Sequence, residues 1–231
     1  MPAGAACHYA TLQGAQRDPM PKTFPFGPAL RERLVTNLAE FDRTPIADPE
    51  LKSAGVVIVV ARCLESEGAA VLLTKRAANL RRHAGQFALP GGRLDANETA
   101  EEAALRELRE ELGLALDPSD ILGLLDDFPT RSGFRITPVV AWGGAALELA
   151  PDPVEVAKVF RIPLTELDSP EIPRLTKGAE GRPPVMSAPL PTTGGQVFAP
   201  TAAMLYQFRE VALHGRPTGV AHFDQPRFAW K

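Results

Sequence analysis

Six glutamates crowd the stretch "GGRLDANETAEEAALRELREELGL", residues 91 to 114: Glu98, Glu101, Glu102, Glu107, Glu110 and Glu111. The apolar spacing of the same stretch predicts a helix. At about 100° per residue, Ala104, Leu105, Leu108 and Leu112 share one arc and face a core, and Glu107, Glu110 and Glu111 share the adjoining arc. Like charges four residues apart cost roughly 0.2–0.5 kcal/mol per pair, which the i,i+4 chain Glu102, Arg106, Glu110 offsets in part. Such a face is either a solvated surface or a set of hard oxygen ligands for a divalent cation, with room for water and phosphate oxygens. Two features favour the cation. The acids abut the apolar stripe instead of lying opposite it, and the turn Pro90-Gly91-Gly92, where backbone approaches a ligand closely, leads into the helix. Ala100 and Ala103, both small, leave space on the acidic side. Asn97 is the expected N-cap and Gly113 the terminator.

Just upstream, "TKRAANLRRHAGQFALPGG" concentrates Lys75, Arg76, Arg81, Arg82 and His83. A basic strand end facing a metal-loaded acidic helix would clamp a diphosphate from both sides, guanidinium on the oxygens and metal on the bridge. Solvated arginines on a connecting loop are the plainer alternative.

The elements that must position these groups are legible from pattern. "AGVVIVVARC" (54 to 63) is a continuous β-branched run, a strand buried on both faces, with Cys63 as a small core residue at its end. "AVLLTKR" (70 to 76) is a second strand, antiparallel to the first. "ILGLLDDF" (121 to 128) and "RITPVVAW" (135 to 142) are two more, and "EVAKVFRIPLTEL" (155 to 167) is a strand running into a helical turn at Pro163. "PALRERLVTNLAEF" (28 to 41) reads as an amphipathic helix, and "APTAAMLYQFREVALHG" (199 to 215) as another with Thr201 as its cap. Residues 1–27 are expected to be a flexible tail, 28–50 an N-terminal helix and linker, and 51–231 the main domain. Within that domain lie a Pro/Gly-rich loop, 170–195, and a C-terminal helix, 200–214. Strands flanking a central helix give a layered α/β (α+β) domain.

Composition narrows the partners. The chain has 231 residues, 45% hydrophobic and 23% charged, with a net charge of −3. That balance argues against a broad electrostatic grip on nucleic acid or an anionic membrane. No run approaches the ~18 apolar residues of a membrane span. The first twenty residues lack the basic and apolar regions of a signal peptide, and Met20 offers an alternative start. Two cysteines, Cys7 and Cys63, make no disulfide framework, so a cytoplasmic location is expected.

The fixed positions of the acidic segment match a known pattern. Gly92, five residues, Glu98, seven residues, Arg106-Glu107-Leu108, one residue, Glu110-Glu111, one residue, Gly113-Leu114: this resembles a complete Nudix box. The resemblance implies an α/β/α Nudix sandwich with a mixed sheet, using Mg²⁺ or Mn²⁺ to hydrolyse a nucleoside diphosphate linked to another moiety. Carried over by position, Glu107, Glu110, Glu111 and the Gly91 carbonyl would bind metal. Arg106 would orient the glutamates, Glu98 would brace the loop, and Gly92 and Gly113 would serve the backbone. A narrower likeness covers "LLTKRAANLRRHAGQFALPGG" (72 to 92), which is similar to the signature preceding the box in coenzyme A diphosphatases. Leu72-Leu73-Thr74, Arg76, Arg81 and Gly85 fit it; Ala77, Phe87 and Leu89 depart from it. "DPVEVAKVFRIPLTEL" (152 to 167) resembles the downstream family segment.

The reaction implied is attack of water on phosphorus, with Glu107, Glu110 and Glu155 as catalytic candidates and Glu107 or Glu155 as general base. Arg76, Arg81 and Arg82 are the substrate-binding candidates. The expected substrate is coenzyme A or an acyl-CoA, giving 3′,5′-ADP and the 4′-phosphopantetheine half. ADP-ribose, NADH or a nucleoside triphosphate is the alternative, and a non-catalytic binding module a further one. Isoprenoid diphosphate isomerisation lacks support, because Cys63 sits on a core strand. The assembly state is open, a homodimer among the options.

Overall fold

A computed structural model describes residues 23–80, 83–178 and 181–226. Cys7, Met20, Arg81 and Arg82 therefore lie outside the described residues, as does most of the expected tail.

Two long strands set the frame. β1 (Lys52–Arg62) and β7 (Phe134–Gly144) run parallel side by side, Val57 opposite Val139 and Ile58 opposite Val140. β2 (Ala69–Arg76) turns back antiparallel along the second half of β1, as its spacing predicts. On the outer edge of β2 lies β8 (Val156–Pro163), which passes directly into the short helix α3 (Leu164–Leu167). Shorter strands complete the mixed sheet among the described residues: β3 (Phe87–Ala88), β4 (Gly91–Arg93), β5 (Ile121–Leu124) and β6 (Phe128–Pro129).

The two faces of β1 bury different partners, as period-two alternation requires. Val57, Val59 and Ala61 meet Ala104, Leu108 and Leu112 of the helix α2 (Ala100–Leu112). Val56, Ile58 and Val60 join a larger core with Leu30, Leu34 and Leu38 of α1 (Pro28–Ala39) and with α4 (Thr201–Phe208). Helices on both faces of a mixed sheet make the α/β/α sandwich that was expected. No helix among the described residues is long and apolar enough to cross a membrane.

Several expectations need correction. Phe24 is buried in the larger core and the Phe26 N–H bonds the Glu67 carbonyl at 2.9 Å, so the tail does not extend to residues 24–27. α1 ends at Ala39, leaving Phe41 outside it. Cys63 follows β1 and is partly exposed, because the strand's burial ends at Ala61. The strand expected over 121–128 breaks after Leu124. There Asp126 and Asp127 turn inward, and Asp127 accepts from Thr137 Oγ1 at 2.6 Å, from the Ile46 N–H at 2.8 Å and from Arg43. The Pro/Gly-rich stretch is not wholly loop. β9 (Arg174–Thr176), β10 (Val185–Leu190) and β11 (Gly195–Phe198) pair antiparallel as a second small sheet. Thr201 is the first residue of α4 rather than its cap; Pro200 holds that position, and Thr201 Oγ1 donates to the Phe87 carbonyl at 3.3 Å. α4 continues as a π-helical turn, Arg209–Leu213, and ends before Gly215 at φ 61°.

Candidate active site

α2 is set in place at both ends. Its N-cap is Thr99, not Asn97: the Thr99 hydroxyl accepts from the Glu102 N–H while the Glu102 carboxylate accepts from the Thr99 N–H, a reciprocal capping box. Asn97 instead takes a left-handed turn at φ 68°. Glu102 is thereby committed to the cap, so the expected Glu102–Arg106–Glu110 chain begins at Arg106. Gly113, at φ 65°, ends the helix as foreseen.

The small side of the helix serves the sheet. A Cβ at Gly55 of β1 would overlap the Ala100 carbonyl, and Ala103 is fully buried. The space left by Ala100 and Ala103 is thus filled by β1 rather than by a ligand. This close approach carries the acidic arc up to β4. Gly91 pairs with Val56 and Gly92 with Gly55. A Cβ at Gly91 would strike the Gly55 carbonyl, and one at Gly92 would strike the Glu107 carboxylate. Gly91 needs glycine, because backbone leaves no room and its φ is 150°, whereas at Gly92 the space is taken by the Glu107 carboxylate alone.

The three box glutamates, adjacent on the wheel, receive three environments. Glu110 is 55% exposed, Glu107 18% and Glu111 4% by side chain. Glu111 is therefore no surface acid. Burial pushes its carboxyl up to about 7, and Glu107 and Glu155 add repulsion, while Arg76 and the Gly91 N–H pull the other way. Arg76 Nη1 lies 3.4 Å from Glu111 Oε1. Glu155 precedes β8, where its carbonyl accepts from the Ala77 N–H at 2.9 Å, so β2 and β8 bring Arg76 and Glu155 to the same acid.

Arg106 gathers the remaining acids. Its Nε and Nη2 donate to the two Glu98 oxygens at 2.8 and 3.0 Å, and its Nη1 donates to Glu107 at 2.8 Å and Glu110 at 3.3 Å. Nη2 also reaches the Arg93 carbonyl at 3.0 Å. Glu98 additionally accepts from the Asp95 N–H at 2.8 Å, and the Arg106 bonds hold its carboxyl below the usual range. Among the described residues no three His, Cys, Asp or Glu side chains are gathered closely enough to hold a metal ion. The box carboxylates are instead shared out between Arg106 and Arg76.

Beside β4 opens a cavity of about 360 Å³. Arg76, His83, Gly91, Gly92 and Arg93 line its box side; Phe87, Phe134, Ile136 and Met204 supply apolar wall; Thr130, Ser132, Thr201 and Gln225 add polar groups. Arg76 alone among the three arginine candidates falls on described residues, and it reaches both the cavity and Glu111. Sequence reasoning missed the wall from the C-terminal third. Thr201 was read as a cap, and Gln225 sits in a stretch without periodicity. Neither position carried a signal.

A NUDIX domain family model matches residues 53–187, more than half of the chain. The chain belongs to the Nudix family. Its Nudix segment spans β1 to β10 and so contains the box, Arg76 and Glu155. A similar protein is the uncharacterized Nudix hydrolase NudL of Pectobacterium atrosepticum, 43% identical over 97 residues, 42% of this chain and 50% of that protein. Nudix hydrolase 3 of Caenorhabditis elegans is 35% identical over 150 residues, 62% of each chain. The chain thus spans between half and about three-fifths of the length of these curated relatives. Among solved structures, a MutT/nudix family protein from Enterococcus faecalis superposes with a TM-score of 0.47 at 18% identity, covering 80% of this chain and 75% of that one.

Proposed function

We propose that this protein is a metal-dependent Nudix hydrolase that splits the diphosphate of a nucleoside diphosphate derivative, coenzyme A or an acyl-CoA foremost. The observation that carries the reading is the buried Glu111 paired with Arg76 under the Gly91 N–H, with Glu107 against Gly92 and Glu155 near enough to repel Glu111, while Arg76, Gly91 and Gly92 line the 360 Å³ cavity. The donor types suit Mg²⁺ or Mn²⁺, hard carboxylate oxygens at graded exposure beside a glycine strand, and binding would draw together acids that Arg106 and Arg76 now hold apart. Glu107, Glu110, Glu111 and the Gly91 carbonyl would hold the ion. When bound, it supplies neutralisation of the diphosphate and a more acidic water.

The chain's own groups do the rest. Arg76 meets phosphate oxygens from the cavity side. Arg106 fixes Glu98 and Glu107, and Glu107 or Glu155 receives the proton from the attacking water. The likeness of residues 72–92 to the coenzyme A diphosphatase signature supports the substrate, with 3′,5′-ADP and 4′-phosphopantetheine as products. A release assay with Mg²⁺ over coenzyme A, acetyl-CoA, ADP-ribose, NADH and ATP tests it. Preferred turnover of the CoA compounds is expected; turnover of ADP-ribose with none of coenzyme A would sink the substrate assignment.

A further inference from the structure

Arg76 occupies an odd position for a plain substrate ligand. It is the last residue of β2, and its N–H and C=O are both engaged by the return loop: the N–H donates to the Gln86 carbonyl at 2.9 Å, and the Gly85 N–H donates to its carbonyl at 3.2 Å. The root of the side chain is therefore fixed, and one guanidinium serves two clients. Nη1 sits against the buried Glu111 at 3.4 Å, a loose ion pair rather than a tight hydrogen bond. Its Nε is buried and has no partner among the described residues. The same side chain lines the cavity. A buried carboxylate cannot stand without a positive partner, yet this one is held by a cation that is itself poorly satisfied.

We propose that Arg76 is a positioning residue that acts as a place-holding counter-ion: it neutralises Glu111 in the metal-free protein and is released toward the cavity when a divalent cation takes Glu111. The idea rests on the reading that the box carboxylates hold such a cation. Its consequence is an order of events. Metal occupancy frees the guanidinium for substrate phosphate, so metal and anion binding strengthen one another through a shared side chain. Arg93 provides the contrast. It also lines the cavity, but its guanidinium lies 5.0 Å over the Phe134 ring, stacked on an aromatic face rather than paired with a box acid.

The test is direct Mn²⁺ titration at pH 8 of EDTA-treated protein without nucleotide, by electron paramagnetic resonance, for wild type, Arg76→Gln and Arg93→Gln. Each variant removes one positive charge from the cavity wall, and Arg76→Gln alone removes the competitor for Glu111. Arg76→Gln is expected to bind Mn²⁺ roughly five- to tenfold more tightly than wild type, the scale of one partly screened ion pair. Arg93→Gln is expected to change it by less than about twofold. Inorganic diphosphate binding, titrated with and without Mn²⁺, is expected to show metal enhancement in wild type and Arg93→Gln and to lose most of it in Arg76→Gln. Unfolding midpoints taken in EDTA establish that each variant is folded, and Arg76→Lys, which keeps the charge, stands in if Arg76→Gln is not. The lysine lacks the reach and fork of the guanidinium, so it should bind Mn²⁺ about two- to threefold more tightly than wild type, and unchanged or weaker binding would overturn the place-holder. Equal tightening in both glutamine variants, or none in Arg76→Gln, would overturn the place-holder while leaving the metal site intact. Absence of Mn²⁺ binding in all variants would overturn the metal reading and the place-holder with it.

Discussion

Glu111→Gln in the metal-free protein tests the site where its physics is sharpest. The Glu111 carboxyl titrates at about 7 in the fold against an ordinary 4.5, chiefly because burial strips its water. At about 1.4 kcal/mol per pH unit, that gap amounts to a stability difference on the order of 3 kcal/mol. The sign follows from proton counts. Between pH 4.5 and 7 the unfolded chain has released the Glu111 proton and the native chain still holds it. Stability therefore falls as pH rises; the contribution is fully present below about 4.5 and gone above about 7. Glutamine carries no proton to lose, so the variant should escape this fall. The price is a guanidinium left without its acid, and Arg76 is 25% exposed by side chain and can recover some hydration. Urea unfolding in EDTA at steps from pH 5 to 8.5 is the assay. The difference in unfolding free energy, variant minus wild type, should grow by about 2–3 kcal/mol across that range. Parallel curves would refute the buried-acid argument. Added Mn²⁺ should restore the wild type at pH 8 and leave Glu111→Gln unmoved, and hydrolysis by the variant should fall at least about hundredfold.

Two further outcomes bear on how the other carboxylates are held. Gly92→Ala brings a methyl group against the Glu107 carboxylate, the movable end of a side chain, at a position whose backbone tolerates alanine. Hydrolysis should drop about hundredfold by misplacing Glu107, with an unfolding free energy within about 1 kcal/mol of wild type; full activity would show that Glu107 needs no fixed place. Arg106→Ala frees Glu98 from its paired bonds and Glu107 from its own. It should cost about 1–3 kcal/mol in urea unfolding together with most of the activity, and Arg106→Lys should rescue little because a point charge cannot span both acids.

The frame of the molecule was readable where side-chain chemistry and local period agree. β1 and β2 are runs of Val, Leu and Ala bounded by turn residues, and their antiparallel pairing follows from the short "LESEGA" link. The small sheet was hidden because its strands are short and one carries a proline: Pro189 lies inside β10, where it pairs with Gln196. Such a residue demotes any strand reading made from sequence. The break at Asp126-Asp127 was hidden for another reason. Two adjacent acids inside a strand pattern look like its exposed end. Here they are buried because Arg43, Thr44, Ile46 and Gln207, all distant in sequence, bond them. Burial of a charge is decided by such partners, and local pattern does not contain them.

The box was legible as a set and illegible as individuals for a related reason. A helical wheel knows the angle of each glutamate but not the distance from helix to sheet. That distance is governed at Gly55, where β1 lets the Ala100 carbonyl come closer than any side chain would allow. Lowering α2 onto the sheet drives Glu111 under the Gly91 N–H and against Arg76, while Glu107 stops at the Gly92 surface and Glu110 stays in solvent. One glycine, 45 positions upstream of the helix residue it admits and outside the recognised spacing from Gly92 to Leu114, thus converts three like acids into a graded series. The motif specifies which atoms are offered. The strand beneath it specifies how much water each one keeps, and hence which acid must take its counter-charge from Arg76.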